Sequence, residues 1–388
     1  MPSSLLELRK FVAPEFVFGA GASRLAGQYG QNLRVRKVLL VEGPHISELG
    51  WAESMRQSLL DAGLELAVFT DVTPNPRDHE VMAGAEVYRS QNCDAIVALG
   101  GGSPMDCAKA VGAVCSNNRH VLEFEGVDKV ERPGPPLICI PTTAGTAAEV
   151  SQFSIITDTA RKVKIAIVSK AMVPDAALID PACTSTMDAE LTAYTGLDAL
   201  THAVEAYVSN ASSPVTDMHA LEAIRLIRDN LVAAIEQPDN LEVRAGMLLA
   251  STHAGLAFSN AILGAVHAMA HSLGGFLDLP HGQCNAILLD KVMEANFEAA
   301  PERFRDIGRA LGAAIPEQAS RTEQREMVLR TVQDLKRRAG VTDCLADLGV
   351  RREDLHALAE KAINDPCMIT NPQELCCEDV ENIYDAAC

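Results

Sequence analysis

The chain is short of positive charge: its 388 residues carry 33 Lys and Arg against 52 Asp and Glu, a formal net charge of −19. Such a surface repels phosphate backbones and anionic lipid, so we expect no nucleic-acid partner and no membrane docking. Among eleven cysteines there is no Cys-x-x-Cys pair, and Cys376 and Cys377 are adjacent, which fits no disulfide pattern. The opening MPSSLLELRKF is too short and too charged for a signal peptide. We therefore expect a cytoplasmic protein with reduced thiols. No Asp, Glu, Lys or Arg occurs from Ala245 to Leu277. That length suits a membrane span, but His253, Asn260, His267 and His271 interrupt it and would be costly in lipid. The stretch instead predicts one or two buried helices lining a cavity. Internal repeats and low-complexity linkers are also missing.

What is present is a globular composition, 48% hydrophobic and 22% charged, in a length that allows two domains with proper cores. Four near-continuous apolar runs, KVLLVEG (37–43), LELAVFTDV (64–72), DAIVALGGG (94–102) and PLICIPTTAG (136–145), suit parallel strands buried on both faces. WAESMRQSLLDAG (51–63) and DHEVMAGAEVYRSQ (78–91) fill the gaps with helical periodicity. Alternating β and α predicts a doubly wound α/β domain over 1–184. From about Met187 strand signals nearly vanish. Long amphipathic patterns such as 220–237 and 325–340 predict an all-helical domain over 185–388, with a cleft between the domains as the default ligand site.

ALGGGSPMDCAK (98–109) reads as a strand, a glycine run and a helix start. Gly100, Gly101 and Gly102 admit a ligand close to the backbone. Ser103 suits the N-cap, Pro104 the first helical position, and Asp106 could bond back to the cap. A helix N-terminus built this way offers N–H groups and a positive dipole end to a pyrophosphate. The run is neither GxGxxG nor GxxxxGK[ST], and it would serve equally as a capped βα turn with no ligand. PTTAGTAAE (141–149) supplies a second small, hydroxyl-rich loop after a strand, and two such loops favour a nucleotide.

AVHAMAHSLGGFLDLPHG (265–282) holds three of the ten histidines. On a helix His267 and His271 share a face, as do Asp198 and His202 in GLDALTHAVEAY (196–207). His281 follows a turn. Three imidazoles and a carboxylate make a first-row metal set, and burying two imidazoles in an uncharged stretch is costly unless something pairs them. Spacing alone does not say which of His267 and His271 binds. An HExxH protease motif is excluded because Ala268 stands where Glu is required.

GGGSPMD, PTTAGTAAE, GLDALTHAVE, AFSN (257–260), HAMAHSLGG and PHGQCNA occur together in order. In this the chain resembles the group III, iron-dependent alcohol dehydrogenases, close to their lactaldehyde reductase and propanediol dehydrogenase branch. The resemblance runs from FVFGAG (16–21) to ITNPQEL (369–375). It implies an N-terminal dinucleotide-binding α/β domain and a C-terminal all-helical metal domain. By motif match it implies Asp198, His202, His267 and His281 as ligands of Fe2+ or Zn2+, with His271 beside the substrate as a proton relay. It places NAD or NADP against Gly101, Gly102, Ser103, Thr142, Thr143 and Thr146, with Asp106 in the same turn and Lys164 near the nicotinamide ribose. Phe153, Phe258 and Cys367 match positions around the nicotinamide and substrate pocket. The implied reaction is hydride transfer between a small primary alcohol or aldehyde and the nicotinamide, in a homodimer or larger homo-oligomer.

Two features depart from the family pattern. Many NAD-using relatives carry Asp where this chain has Gly43, and that carboxylate would hold a ribose 2′-OH and repel a 2′-phosphate. Either NADP is accepted or Glu42 substitutes. The cysteine-rich tail LCCEDVENIYDAAC has no functional reading. A regulatory or sensing member that keeps nucleotide and metal, and a relative using dehydroquinate-synthase-like lyase or zinc polyol chemistry, are the competing functions.

Overall fold

The computed structural model describes residues 8–44 and 46–388; the first seven residues, part of the segment read above for a leader, lie outside them. The chain divides into two compact units, Val12–Thr186 and Met187–Cys388, the latter taking residues 8–11 as well. Those residues join the later unit because Phe11 stacks on the His219 ring, with centroids 5.8 Å apart.

The first unit runs β1 (Glu15–Phe18), α1 (Ala26–Asn32), β2 (Lys37–Glu42), α2 (Gly50–Asp61), β3 (Glu65–Phe69), α3 (Asp78–Ser90), β4 (Ala95–Gly100), α4 (Gly102–Asn117), β5 (Gly126–Val127), β6 (Leu137–Pro141), β7 (Phe153–Asp158), β8 (Val163–Val168) and β9 (Ala176–Ile179). Six strands form a parallel sheet in the order β1-β9-β6-β4-β2-β3. The four apolar runs are its centre and one edge. Alternation along β2 shows why a near-continuous run is needed: Val38 and Leu40 pack with Ala52, Met55 and Leu59 on one side. Leu39 and Val41 pack with Val81, Met105 and Val111 on the other. The chain steps from β2 outward to β3, then returns to lay β4 on the other side of β2. The loops after β2 and β4 therefore diverge, and Gly43 and Gly101 flank the crevice where an α/β sheet binds its ligand. A second sheet, β5-β8-β7, includes an antiparallel hairpin that no apolar run announced.

The second unit contains α5 (Ala189–Val208), α6 (Pro214–Glu236), α7 (Leu241–Ala261), α8 (Ala265–Leu277), α9 (His281–Asn296), α10 (Pro301–Ala310), α11 (Arg321–Arg338), α12 (Leu355–Ile363) and α13 (Cys377–Ala387), and no strand among the described residues. Side-chain caps start the longest helices: Asp188 accepts from Leu191 N–H at α5, and Ser213 and Ser320 form capping boxes at α6 and α11. The uncharged stretch folds as α7 and α8, bent by 97° at residues 262–264. Among the described residues no single helix is long and apolar enough to cross a membrane. The break falls on Ile262, whose φ of 63° and ψ of −171° are unusual for a β-branched residue.

Candidate functional site

In the helical unit α5, α8 and α9 bring three ligand atoms together. One donor atom each from Asp198, His267 and His281 lies within 4.8 Å of the others. Helical spacing places Asp198 and His202 one turn apart on α5, and His281 opens α9. The Nε2 atoms of His267 and His281 stand 3.7 and 3.8 Å from Asp198 Oδ1. His202 flanks this group, its ring stacked on His267 at 4.5 Å and on Phe258 at 4.3 Å between centroids. Asp198, His202 and His267 are all buried.

A carboxylate that sequence reasoning passed over fixes His267. Glu205, one turn beyond His202 on α5, is buried, and its Oε2 lies 2.6 Å from His267 Nδ1 while its Oε1 accepts the Val266 N–H at 2.6 Å. Burial pushes the Glu205 carboxyl up to about 7, against the backbone N–H bonds that favour its charge. An imidazole whose Nδ1–H is donated to a carboxylate presents its Nε2 lone pair outward, the arrangement that backs metal-bound histidines. The signal was available: Glu205 lies within the quoted GLDALTHAVEAY, at i+3 from His202.

The structure separates the two histidines that spacing could not. His267 Nε2 belongs to the converging group, whereas His271 Nδ1 lies 3.0 Å from Asp365 Oδ2. Its ring stacks on His281 at 5.3 Å. Burial opposes ionisation of Asp365, yet His271 and the Cys367 N–H hold its carboxyl below the ordinary range. Cys367 itself is buried, and desolvation with Asp365 alongside drives its thiol well above the usual cysteine value. That is the environment of an inert wall residue, not a nucleophile.

The donor set fits a first-row divalent cation: one carboxylate oxygen and imidazole nitrogens converge in a buried place, one imidazole backed by a second carboxylate. Asn285, on α9 one turn after His281, also reaches in. Its Nδ2 lies 2.6 Å from Asp198 Oδ1 and 3.1 Å from the Nε2 of both His267 and His281.

In the α/β unit the glycine turn differs from its expected capping. The N-cap is Gly101, not Ser103, and no side chain caps the helix. Ser103 and Pro104 fall inside the first turn, and the Asp106 carbonyl oxygen accepts the Ser154 hydroxyl at 2.8 Å. Pro104 removes one of the donors that a helix N-terminus leaves over, so the turn has one fewer N–H group for a cap to satisfy. A Cβ on Gly101 would come within 3.1 Å of Thr143 Oγ1, and one on Gly102 within 3.0 Å of Thr146 Cγ2. The two loops therefore abut closely enough that a side chain at either glycine would press on a threonine of the other loop, and Thr142 N–H donates to Gly100 oxygen at 2.9 Å. This cradle fits a dinucleotide pyrophosphate.

The remaining expected contacts lie in the same unit. Phe153 opens β7 and is buried; Lys164, on β8, donates to Asn75 Oδ1 at 2.7 Å. Gly43 follows β2, and a Cβ there would lie 3.3 Å from Ile46 Cδ1. Beside it, Glu42 is buried and takes both oxygens to Arg56 NH2 at 2.6 Å. Two further residues of the quoted motifs, not singled out there, are buried beside the loops. Lys109 on α4 is buried and donates to the carbonyl oxygens of Ser151 and Phe153, both at 2.9 Å. Glu149 is buried with its Oε1 unbonded, and desolvation lifts its carboxyl to about 7.

Comparison with known proteins agrees across both units. Residues 13–181 match the model for iron-containing alcohol dehydrogenase, and residues 192–388 that for the C-terminal part of the Fe-containing alcohol dehydrogenase family. The chain is 42% identical over 359 residues to 1,3-propanediol dehydrogenase of Klebsiella pneumoniae, covering 92% of each protein. A solved 1,3-propanediol oxidoreductase superposes with a TM-score of 0.96 at 40% identity, over 98% of this chain and 100% of that one. Sulfoacetaldehyde reductase of Bifidobacterium kashiwanohense, solved with NAD+, gives 0.85 at 29% identity, over 98% and 99%. These relatives are enzymes of alcohol and aldehyde conversion, and none supports a sensing or regulatory role. The chain belongs to the iron-containing alcohol dehydrogenase family and is an oxidoreductase of that family.

Proposed function

We propose that the protein interconverts a small primary alcohol and its aldehyde, with Fe2+ or Zn2+ as resident cation and NAD or NADP as hydride carrier. The observation that carries this reading is the buried convergence of Asp198, His267 and His281, with His267 backed by Glu205. When bound, the cation supplies Lewis acidity toward an alcohol or carbonyl oxygen, and the nicotinamide supplies hydride acceptance and donation. The residues do the rest. Asp198, His202, His267 and His281 hold the cation. His271, with its Nδ1 engaged by Asp365, keeps Nε2 for the alcohol proton. Phe258 and Cys367 line the substrate side with apolar surface. Gly101, Gly102, Ser103, Asp106, Thr142, Thr143 and Thr146 cradle the pyrophosphate, and Phe153 and Lys164 border the nicotinamide and its ribose.

Both cofactors are accepted on this reading. Gly43 brings no carboxylate to the adenosine ribose, and Glu42 does not replace it, because its two oxygens are taken by Arg56 inside the unit. Family resemblance supports a homodimer or larger assembly, and the acidic, reduced-thiol composition supports a cytoplasmic location. The deciding experiment is a panel of short primary alcohols and aldehydes, with NAD(H) and NADP(H), on protein loaded anaerobically with Fe2+. Turnover of at least one pair is expected. Nucleotide and metal binding without turnover of any member would return the protein to a sensing role.

A further inference from the structure

Asn285 stands apart from the ligand set by its own unbalanced hydrogen bonding. It is fully buried. Its Nδ2 faces three polar atoms, Asp198 Oδ1 at 2.6 Å and the Nε2 atoms of His267 and His281 at 3.1 Å. A primary amide has two N–H bonds to share among these three atoms. The Oδ1 of the same amide is buried with no hydrogen-bond partner. A buried amide normally satisfies both ends. The opposite orientation is worse, since it would set an amide oxygen 2.6 Å from a carboxylate oxygen. His267 Nε2 is an acceptor because its Nδ1 faces Glu205 at 2.6 Å.

The three atoms that meet Asn285 Nδ2 are those a cation would use. A nitrogen lone pair that accepts an N–H bond cannot at the same time point at a metal. We propose that Asn285 is a built-in competitor for the cation: its amide holds Asp198, His267 and His281 together as a cation surrogate, and the set takes up metal only as that side chain turns aside. The inference rests on the metal-centre reading above. It adds that affinity and exchange rate are set by a residue that is not a ligand.

The test uses full-length Asn285→Ala and Asn285→Ser beside the parent, each stripped with chelator and titrated with Co2+. The d–d absorption gives occupancy, competition with a chelator gives Kd, and thermal melting gives stability before and after loading. With the competitor removed, Co2+ should bind about tenfold more tightly, equivalent to about 1.4 kcal/mol. It should also load faster, while the stripped variant melts below the stripped parent. The serine variant, whose hydroxyl sits on a shorter stem, should fall between and serves if the alanine variant does not fold. Unchanged or weaker Co2+ binding in a folded variant overturns the proposal and makes Asn285 a support or a ligand. A parent that binds no Co2+ would instead refute the metal-centre reading.

Discussion

His271 Nδ1 and Asp365 Oδ2 lie 3.0 Å apart, although 94 residues separate them along the chain. The pair gives His271 one orientation and one tautomer, leaving Nε2 as the nitrogen available to a substrate proton. Asp365 is a positioning residue on this view, and its other oxygen accepts the Cys367 N–H at 2.8 Å. Asp365→Asn keeps an acceptor for Cys367 but weakens the hold on His271. We expect kcat to fall about 10–100-fold, less than the roughly 10²–10⁴-fold that a general acid–base group contributes in full. KM for the alcohol and metal content should stay near parental values, and the pH profile of kcat should move. A variant that loses metal or alcohol affinity together with kcat would show that Asp365 supports the site as a whole.

The dyad also shows where sequence reasoning stops. Helical spacing marked Asp198 with His202 and His267 with His271 as pairs, but the choice of Asp198, His202, His267 and His281 as a set came from the family motifs, since spacing treats His267 and His271 alike. Glu205 and Asn285 were equally local, at i+3 from His202 and i+4 from His281, but carboxylates and amides on helices carry no signal until a partner is placed opposite. Asp365 had no local signal, since its partner comes from α8. The parallel core strands were readable as apolar runs buried on both faces, while the β7–β8 hairpin and the edge strand β1 were not, because one-sided or short strands leave weaker patterns. Ser103 was misplaced as a cap for a different reason. Cap preferences favour serine, but the helix begins at Gly102, so Gly101 is its N-cap and Ser103 falls inside the first turn.

Glu149 makes stability depend on pH in a direction opposite to most carboxylates. Burial raises its folded-state value from 4.5 to about 7, so the folded protein binds this proton more tightly than the unfolded chain does. Its contribution is therefore fully present below pH 4.5 and is lost as pH rises through about 7. Glu149→Gln mimics the neutral form and should remove that decline. Melting curves from pH 5 to 8 should show the variant gaining on the parent as pH rises. A parent that is the more stable of the two at pH 8 would mean that the charged carboxylate is stabilised, with Lys109 as the candidate partner.

Ile262 holds φ 63° and ψ −171° at the bend between α7 and α8, a region almost confined to glycine. Such strain costs about 1–3 kcal/mol, and the side chain is partly exposed, so its packing offsets less of that cost than a fully buried isoleucine would. Ile262→Gly should raise the melting temperature despite the extra entropy of a glycine in the unfolded chain, about 1 kcal/mol. Because the bend feeds directly into α8 and His267, metal content should be measured alongside. A lower melting temperature with unchanged metal content would show that Ile262 packing outweighs its backbone strain.

Gly43 is the position at which cofactor choice should be adjustable. A Cβ there meets Ile46 Cδ1 at 3.3 Å, the far end of a flexible side chain that needs to yield only a few tenths of an ångström, so Gly43→Asp is expected to fold. The new carboxylate would stand beside the adenosine ribose, accept the 2′-OH of NAD and repel the 2′-phosphate of NADP. A clash of this kind costs about 1–3 kcal/mol, roughly a 5- to 150-fold loss in kcat/KM with NADP. NAD use should be kept or improved. Glu42 provides the control: Glu42→Gln should leave the NAD:NADP ratio unchanged, because its oxygens face Arg56, not a ligand. The comparison is kcat/KM for both cofactors in the parent and the two variants. A parent that already rejects NADP by more than about a hundredfold, about 2.7 kcal/mol, would place the selectivity elsewhere, and a ratio that moves in Glu42→Gln would place it on Glu42.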